Sequence, residues 1–259
     1  MLDLGLKVKL CNQAREQKIM SIFIFETKEE LVESAAEQVA ADLQNAINAR
    51  GEAHLVLSGG GTPRPVYERL AEAELDWSAI HIWFADERMV PADDDGSNFK
   101  LALDSLLSKV DLLPKHIHRM KGEISGKNSA AEYSIELREV SPSWGLWPRF
   151  DVCILGMGGD GHTASLFPGQ MSDDEFNQPA IAVTADYDGR PAERVTLTPI
   201  VINASRNIIF LVTGAGKANA LADRFGDFEP NSKPTQRILP IDGIADWYVD
   251  SAAGANLSQ

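Results

Sequence analysis

Hydrophobic and polar positions along this chain follow two periods. SIFIF (21–25) clusters β-branched and aromatic residues as a strand does. Thr27 with Glu30 makes a capping box, after which Leu31, Val32, Ala35, Val39, Leu43 and Ile47 recur at helical spacing until Gly51 supplies a stop. HLVLS (54–58) reads as a buried strand, GGGTP as a turn, and Val66 to Ala71 as a short helix. IHIWFA (80–85) is a further buried strand, followed by a polar loop with Asp93, Asp94 and Asp95. Ser97 is placed to cap a helix carrying Leu101, Leu106 and Leu107.

The second half repeats this alternation. Ala130 to Val140 is helical in pattern, and PSWGLWP is a turn-rich connector. FDVCILG (150–156) is the clearest buried strand. AIAV (180–183), RVTLT (194–198) and NIIFLV (207–212) follow as strands, and Lys217 to Arg224 as a helix. Near-continuous apolar strands separated by helices predict one α/β domain over residues 20–259, with a mostly parallel sheet covered by helices on both faces. Residues 1–19 lack either period and read as an N-terminal extension open to disorder, with Met20 as an alternative start. In such sheets ligands sit beyond the C-terminal strand ends, so the loops after the strands are the place to look for chemistry.

Composition narrows the choice of partners. The 259 residues are 44% hydrophobic and 24% charged, which excludes disordered and collagen-like chains. Lys plus Arg number 24 against 38 Asp plus Glu, a formal net charge of −14. That field repels nucleic-acid backbones and anionic lipid, so neither is expected as a partner. Cys11 and Cys153 are the only cysteines, too few for a disulfide framework, and a reducing cytoplasm is the natural location. No apolar run has the length of a membrane span.

Four loops carry candidate chemistry. In LVLSGGGTPRPVY, Ser58, Gly59, Gly60, Gly61 and Thr62 join a strand to a helix with Pro63 in its first turn. Thr62 is a candidate N-cap, and the row of backbone N–H groups is a phosphate seat unless it is only a flexible connector. No Gly-Lys-Ser/Thr follows, which disfavours nucleoside triphosphates. In WFADERMVPADDDGSNF, Asp86, Glu87 and Arg88 leave a strand together. Arg88 held by a carboxylate is an anion binder, the alternative being a solvated ion cluster.

The third loop, FDVCILGMGGDGHTASLFPG, fits G-x-G-x-x-G at Gly156, Gly158 and Gly161, with an acid further on at Asp186. A dinucleotide crossover needs a helix of real length, whereas Pro168 and Gly169 stop this one after about two turns. His162 offers a better use for the loop. Beside glycine amides and Asp160, an imidazole activates water at neutral pH. Ser165 lacks the nucleophile-elbow pattern and reads as structural. His116 and His118 form a conceivable metal pair, yet no matching carboxylate or cysteine cluster is evident, so no metal site is expected. In the fourth loop, GAGK, Lys217 opens a helix after a buried strand, and Arg194 begins RVTLT. Singly each is an ordinary surface charge; together with Arg88 they supply three cations for one anionic ligand.

These loops, in this order, resemble the 6-phosphogluconolactonases of the pentose phosphate pathway. The resemblance spans about Ser21 to the C-terminus and rests on LSGGGTP, WFADERMVPADDDGSNF, DVCILGMGGDGHTASLFPG, RVTLTPIVINASRNIIFLVTGAGK and the closing QRILPIDGIADWYVDSAA. The related glucosamine-6-phosphate deaminases share a DGH loop. Their pattern has tyrosine where this chain has Arg88, and phenylalanine–asparagine–glutamate where it has Ser165, Leu166 and Phe167. Gly61 departs from the lactonase pattern, which usually has serine there.

The resemblance implies a Rossmann-like α/β fold without a bound nicotinamide. It implies hydrolysis of 6-phospho-D-glucono-1,5-lactone, with a deaminase-like isomerase as the alternative. His162 would deprotonate the attacking water, and Asp160 and Asp86 would orient His162 and Arg88. Arg88, Arg194 and Lys217 would contact the substrate, chiefly its phosphate, with Ser58 to Thr62 completing the seat. No metal or other cofactor is expected; the partner is a small sugar-phosphate lactone, and the protein is a monomer or small homo-oligomer.

Overall fold

Local signals fix the first helix. The Thr27 side chain accepts from the amide of Glu30 at 3.1 Å, and the Glu30 carboxylate accepts from the amide of Thr27 at 3.2 Å. The helix ends where Gly51 turns left-handed at φ 83°. This is helix α1 (Lys28–Arg50) of a computed structural model that describes residues 7–10, 20–141, 147–186 and 189–257.

Strands β1 (Lys7–Leu10), β2 (Met20–Phe25), β3 (Ala53–Leu57), β4 (Ile80–Phe84) and β5 (Asp86–Arg88) lie in the first half. Strands β6 (Val152–Gly156), β7 (Ala180–Thr184), β8 (Glu193–Leu197), β9 (Asn207–Val212) and β10 (Ile244–Asp250) follow. The remaining helices are α2 (Pro63–Leu70), α3 (Asn98–Ser105), α4 (Gly126–Glu139), α5 (Pro199–Ile202) and α6 (Ala218–Arg224). The main sheet has the order β1-β2-β10-β9-β6-β3-β4. Only the β1–β2 pair is antiparallel; every other neighbour is parallel. This is the mostly parallel α/β sheet that the apolar runs predict.

Alternate residues of the parallel strands feed two cores, one on each face. In β6, Val152 and Ile154 join the core under α1, α2 and α3, with Leu31, Leu43, Tyr67 and Leu70. Cys153 and Leu155 join the opposite core, with Tyr133 and Leu137 of α4, Leu221 of α6 and Trp247 of β10. Phe210 and Trp247, neighbours in register on β9 and β10, stack at 3.9 Å with their planes 5° apart.

Four features depart from the sequence reading. Lys7–Leu10, read as part of an extension without strand period, forms β1 and pairs antiparallel with β2. β10 was not anticipated, because Asp246 and Asp250 interrupt its apolar run. AIAV and RVTLT do not join the main sheet: they pair antiparallel as β7 and β8, and β8 takes β5 as its other neighbour. Asp86 to Arg88 is thus a strand rather than loop, and α4 packs on this second, three-stranded sheet. No helix follows Gly161. Residues 163–167 form turns with an isolated bridge from Thr163 to Leu166, which removes the crossover a dinucleotide fingerprint requires. Smaller shifts are at element ends: α2 begins at Pro63, α4 at Gly126 behind its Ser125 cap, and Leu106 and Leu107 lie beyond α3.

Candidate active site

The strand order places a switch point between β3 and β6. The chain leaves β3 for β4 on one side and leaves β6 for β9 on the other. The loops at the C-terminal ends of these two strands therefore diverge and leave a crevice. The crevice is a cleft of about 160 Å³, lined by Ser58, Gly59, Gly60, Gly61, Thr62, Asp86, Arg88, His162, Arg194 and Lys217. Of the residues expected to bind or act on substrate, all reach this one cleft except Asp160, which is hydrogen-bonded to His162.

The DGH turn holds the imidazole by close contacts. Asp160 Oδ1 lies 2.6 Å from Nδ1 of His162 and accepts from its backbone N–H at 3.1 Å. Burial raises the Asp160 pKa, but the hydrogen bonds and charge of His162 outweigh it and hold the carboxyl below its usual range. An ionised carboxylate only accepts, so Nδ1 carries the proton and Nε2 is the basic nitrogen. Gly158 donates to the carbonyl of His162 at 2.8 Å and closes the turn. A Cβ on Gly158 would fall 2.1 Å from Nδ1 of His162 and 2.5 Å from Oδ1 of Asp160, so only glycine permits this approach. The following Thr163 donates to the Gly156 carbonyl at 2.8 Å, and Ala164 is held at φ 48°, left-handed backbone for a residue with a side chain.

The small sheet presents the cations. Arg88 of β5 is the register partner of Arg194 of β8. Arg88 Nη1 donates to the Gly96 carbonyl at 2.5 Å, while its buried Nε has no hydrogen-bond partner among the described residues. The expected carboxylate support for Arg88 takes a different form. Asp86 is buried, and its oxygens accept from Ser165 Oγ at 2.6 Å and Asn98 Nδ2 at 3.0 Å rather than from Arg88. Glu87 serves the backbone instead: it accepts from the amides of Arg88, Asn98 and Phe99 at 2.7–2.8 Å and from Ser97 Oγ at 2.9 Å. It anchors the start of α3, and burial still pushes its carboxyl up despite these donors. Ser165 is itself buried and off the cleft.

The glycine loop closes the far wall. Ser58 Oγ donates to the Ile154 carbonyl at 2.7 Å, and the Tyr67 hydroxyl bridges the backbone N–H and C=O of Ser58 at 2.8 Å each. A Cβ at Gly59 would fall 1.8 Å from Asn98 Oδ1, so this glycine lets the loop sit against Asn98. Thr62 does not cap α2 through its side chain, as the sequence suggested. Its backbone is already helical and its hydroxyl meets that of Thr213 at 2.8 Å. Lys217 ends a 3-10 turn (Ala215–Lys217) after β9 and is half-buried. Arg190 and Thr213 also line the cleft and were missed. Thr213 follows β9 directly, so the strand-end rule points to it; Arg190 stands in no motif and carries no such signal.

The other histidines gather at the opposite ends of the strands. His54 and His81 are second residues of β3 and β4, and His81 stacks on His116 at 3.8 Å. Nδ1 of His81 meets Nε2 of His118 at 2.9 Å, and Nδ1 of His118 meets Glu136 at 2.6 Å. Burial, then the neighbouring imidazoles, push His81 down to about 3. Among the described residues no group of three or more His, Cys, Asp or Glu is placed to hold a metal ion, and none of their helices is long and apolar enough to cross a membrane.

Residues 26–247 match the sequence profile of the family described as glucosamine-6-phosphate isomerases/6-phosphogluconolactonase. A 6-phosphogluconolactonase of Synechocystis is 38% identical over 239 residues, covering 89% of this chain and 95% of its own. Among solved structures, the 6-phosphogluconolactonase of Thermotoga maritima superposes with a TM-score of 0.78 at 29% identity, over 89% of this chain and 99% of that one. That of Trypanosoma brucei gives 0.80 at 27% identity, over 92% and 98%.

Proposed function

The chain belongs to the glucosamine-6-phosphate isomerase/6-phosphogluconolactonase family, and within it we propose that it hydrolyses 6-phospho-D-glucono-1,5-lactone to 6-phosphogluconate. The observation that carries this reading is a single cleft that joins an Asp160–His162 pair to Arg88, Arg194 and Lys217. Nε2 of His162 takes a proton from water while the water oxygen bonds to the lactone carbonyl carbon. As the ring C–O bond breaks, the imidazolium returns that proton to the departing ring oxygen. Asp160 holds the tautomer and stabilises the imidazolium between these steps. General base catalysis of this kind contributes about 10² to 10⁴ in rate.

Arg88, Arg194 and Lys217 take the phosphate with the amides of the glycine loop, a charge-assisted arrangement in a chain of net charge −14. Asp86 keeps the seat in shape through Ser165 and Asn98. No step is assigned to a metal ion: the cleft offers cations, hydroxyls and one imidazole, while Asp86 is committed to protein donors. The working unit is a monomer or small homo-oligomer. Its place is the cytoplasm, a reading supported by its two cysteines, of which Cys153 is free and buried.

The test is a coupled assay on freshly made 6-phosphogluconolactone with the spontaneous rate subtracted. Turnover above that rate is expected, and its absence sinks the proposal. Ammonia release from glucosamine 6-phosphate reports the deaminase instead. Charge-neutral replacements of Arg88, Arg194 and Lys217 should raise KM for the phosphorylated lactone far more than for gluconolactone.

A further inference from the structure

The base and the small-sheet cation meet at one hydrocarbon ring. Phe167 is 5% exposed, and its centroid lies 4.7 Å from that of His162 with 33° between the planes. The guanidinium carbon of Arg194 lies 5.3 Å from the same centroid. Arg194 is itself buried, with Nε donating to the Pro191 carbonyl at 3.1 Å. A π face in contact with a desolvated guanidinium supplies attraction that an aliphatic side chain cannot.

The ring is held from behind by groups outside the cleft. Nη2 of Arg237 donates to the Phe167 carbonyl at 3.1 Å, and Nε of Arg237 donates to the Pro230 carbonyl at 2.8 Å. Nη1 of Arg237 is paired with both oxygens of Glu175 at 2.8 and 3.0 Å, and the two side chains are almost wholly buried. Phe167 is therefore fixed at its backbone by an ion pair and touches the two working groups with its ring.

We infer that Phe167 is a positioning residue that sets the spacing between the proton acceptor His162 and the cation Arg194. This rests on the lactonase reading. Without the ring, a guanidinium free to approach the imidazole hydrogen-bonds to its lone pair and repels its protonated form. With the ring in contact with both, each group meets the negative π system of Phe167, and the attraction to His162 grows when the imidazole takes its proton.

The experiment compares Phe167→Leu, Phe167→Tyr, Arg194→Gln and the Phe167→Leu/Arg194→Gln double variant, each checked for folding by its Tm. Phe167→Leu should lower kcat about tenfold and raise KM for the phosphorylated lactone about tenfold, the scale of one desolvated cation–π contact. Phe167→Tyr should restore both to within about threefold. The double variant should have the KM of Arg194→Gln alone, because the ring acts on KM through that residue.

Two readouts do not need turnover. Inorganic phosphate should bind Phe167→Leu about tenfold more weakly by calorimetry. The ring protons of His162 should move downfield by NMR as the aromatic ring current is lost. Native kcat and KM in Phe167→Leu, additive effects in the double variant, or Phe167→Tyr behaving like Phe167→Leu would each overturn the inference. If Phe167→Leu does not fold, Phe167→Met takes its place under the same criteria. Absence of lactone turnover in the unaltered protein refutes the lactonase reading, whereas phosphate affinity and the His162 resonances still decide the role of Phe167.

Discussion

Arg88 and Arg194 face each other across the antiparallel pairing of β5 with β8. Like charges directly opposed on neighbouring strands destabilise a sheet, and an anion bound to both relieves the repulsion. Phosphate and 6-phosphogluconate should therefore raise Tm, with about 2.7 kcal/mol of stabilisation at a hundredfold excess over Kd. Chloride at matched ionic strength should not, and the shift should shrink in Arg194→Gln. A Tm indifferent to phosphate would remove the anion seat.

The Asp160–His162 pair predicts two different losses. His162→Ala should abolish measurable turnover while 6-phosphogluconate still binds. Asp160→Asn should lower kcat by about 10² or more, because an amide fixes neither the tautomer nor the imidazolium. The Asp160 carboxyl is held below its usual value. It therefore adds stability above the unfolded pKa of 3.8, which is lost only as pH falls through the lower folded value.

Gly158→Ala is a steric test of the same pair. Its methyl would need space that His162 Nδ1 and Asp160 Oδ1 occupy at 2.1 and 2.5 Å. A large drop in kcat with a folded protein by circular dichroism is expected. Native kcat would refute the close approach of His162 and Asp160 to Gly158.

Gly61→Ser should do the reverse. A Cβ at Gly61 meets nothing within 4 Å, so the change should leave stability within about 0.5 kcal/mol. The added hydroxyl at the mouth of the phosphate seat should lower KM for the phosphorylated lactone and leave gluconolactone unaffected. Steady-state kinetics on both substrates decides it.

The histidine array makes stability depend on pH. His81 is pushed down to about 3, and His54 and His116 are also lowered from 6.5, in each case chiefly by burial. Glu52 and Asp151 oppose the shift at His54, while Lys115 adds to it at His81 and His116. The unfolded chain takes up protons on these histidines first as pH falls, so their contribution to stability is full above about 6.5 and declines toward pH 3. Each excess proton bound by the unfolded state costs about 1.4 kcal/mol per pH unit. Urea unfolding at pH 7 and pH 5 should show this fall, and replacing His81 with Phe should flatten it.

How far these features can be read in the sequence depends on whether the signal is local. The capping box at Thr27, the Gly51 stop and the near-continuous apolar run of the NIIFLV strand depend on neighbours a few residues away, and the structure has them as written. The DGH turn, the glycine loop and the GAGK stretch were found because motif residues follow strand ends. β5 escaped because three charged residues in a row have no strand period; its pairing with β8 is a tertiary fact. The same cause hid the partners of Asp86: Ser165 lies 79 residues away along the chain. Thr62 misled because its hydroxyl found Thr213 across the cleft instead of an amide in its own helix.

The two sheets divide the labour. The Asp160–His162 pair proposed for proton transfer stands on a turn after β6 of the large sheet, and two of the cations proposed for phosphate, Arg88 and Arg194, stand on the separate three-stranded sheet. On the proposed reading, a change in strands β5 and β8 re-aims the grip on phosphate and leaves the Asp160–His162 pair where it is. A scaffold so partitioned accepts new phosphorylated rings by change in one platform alone.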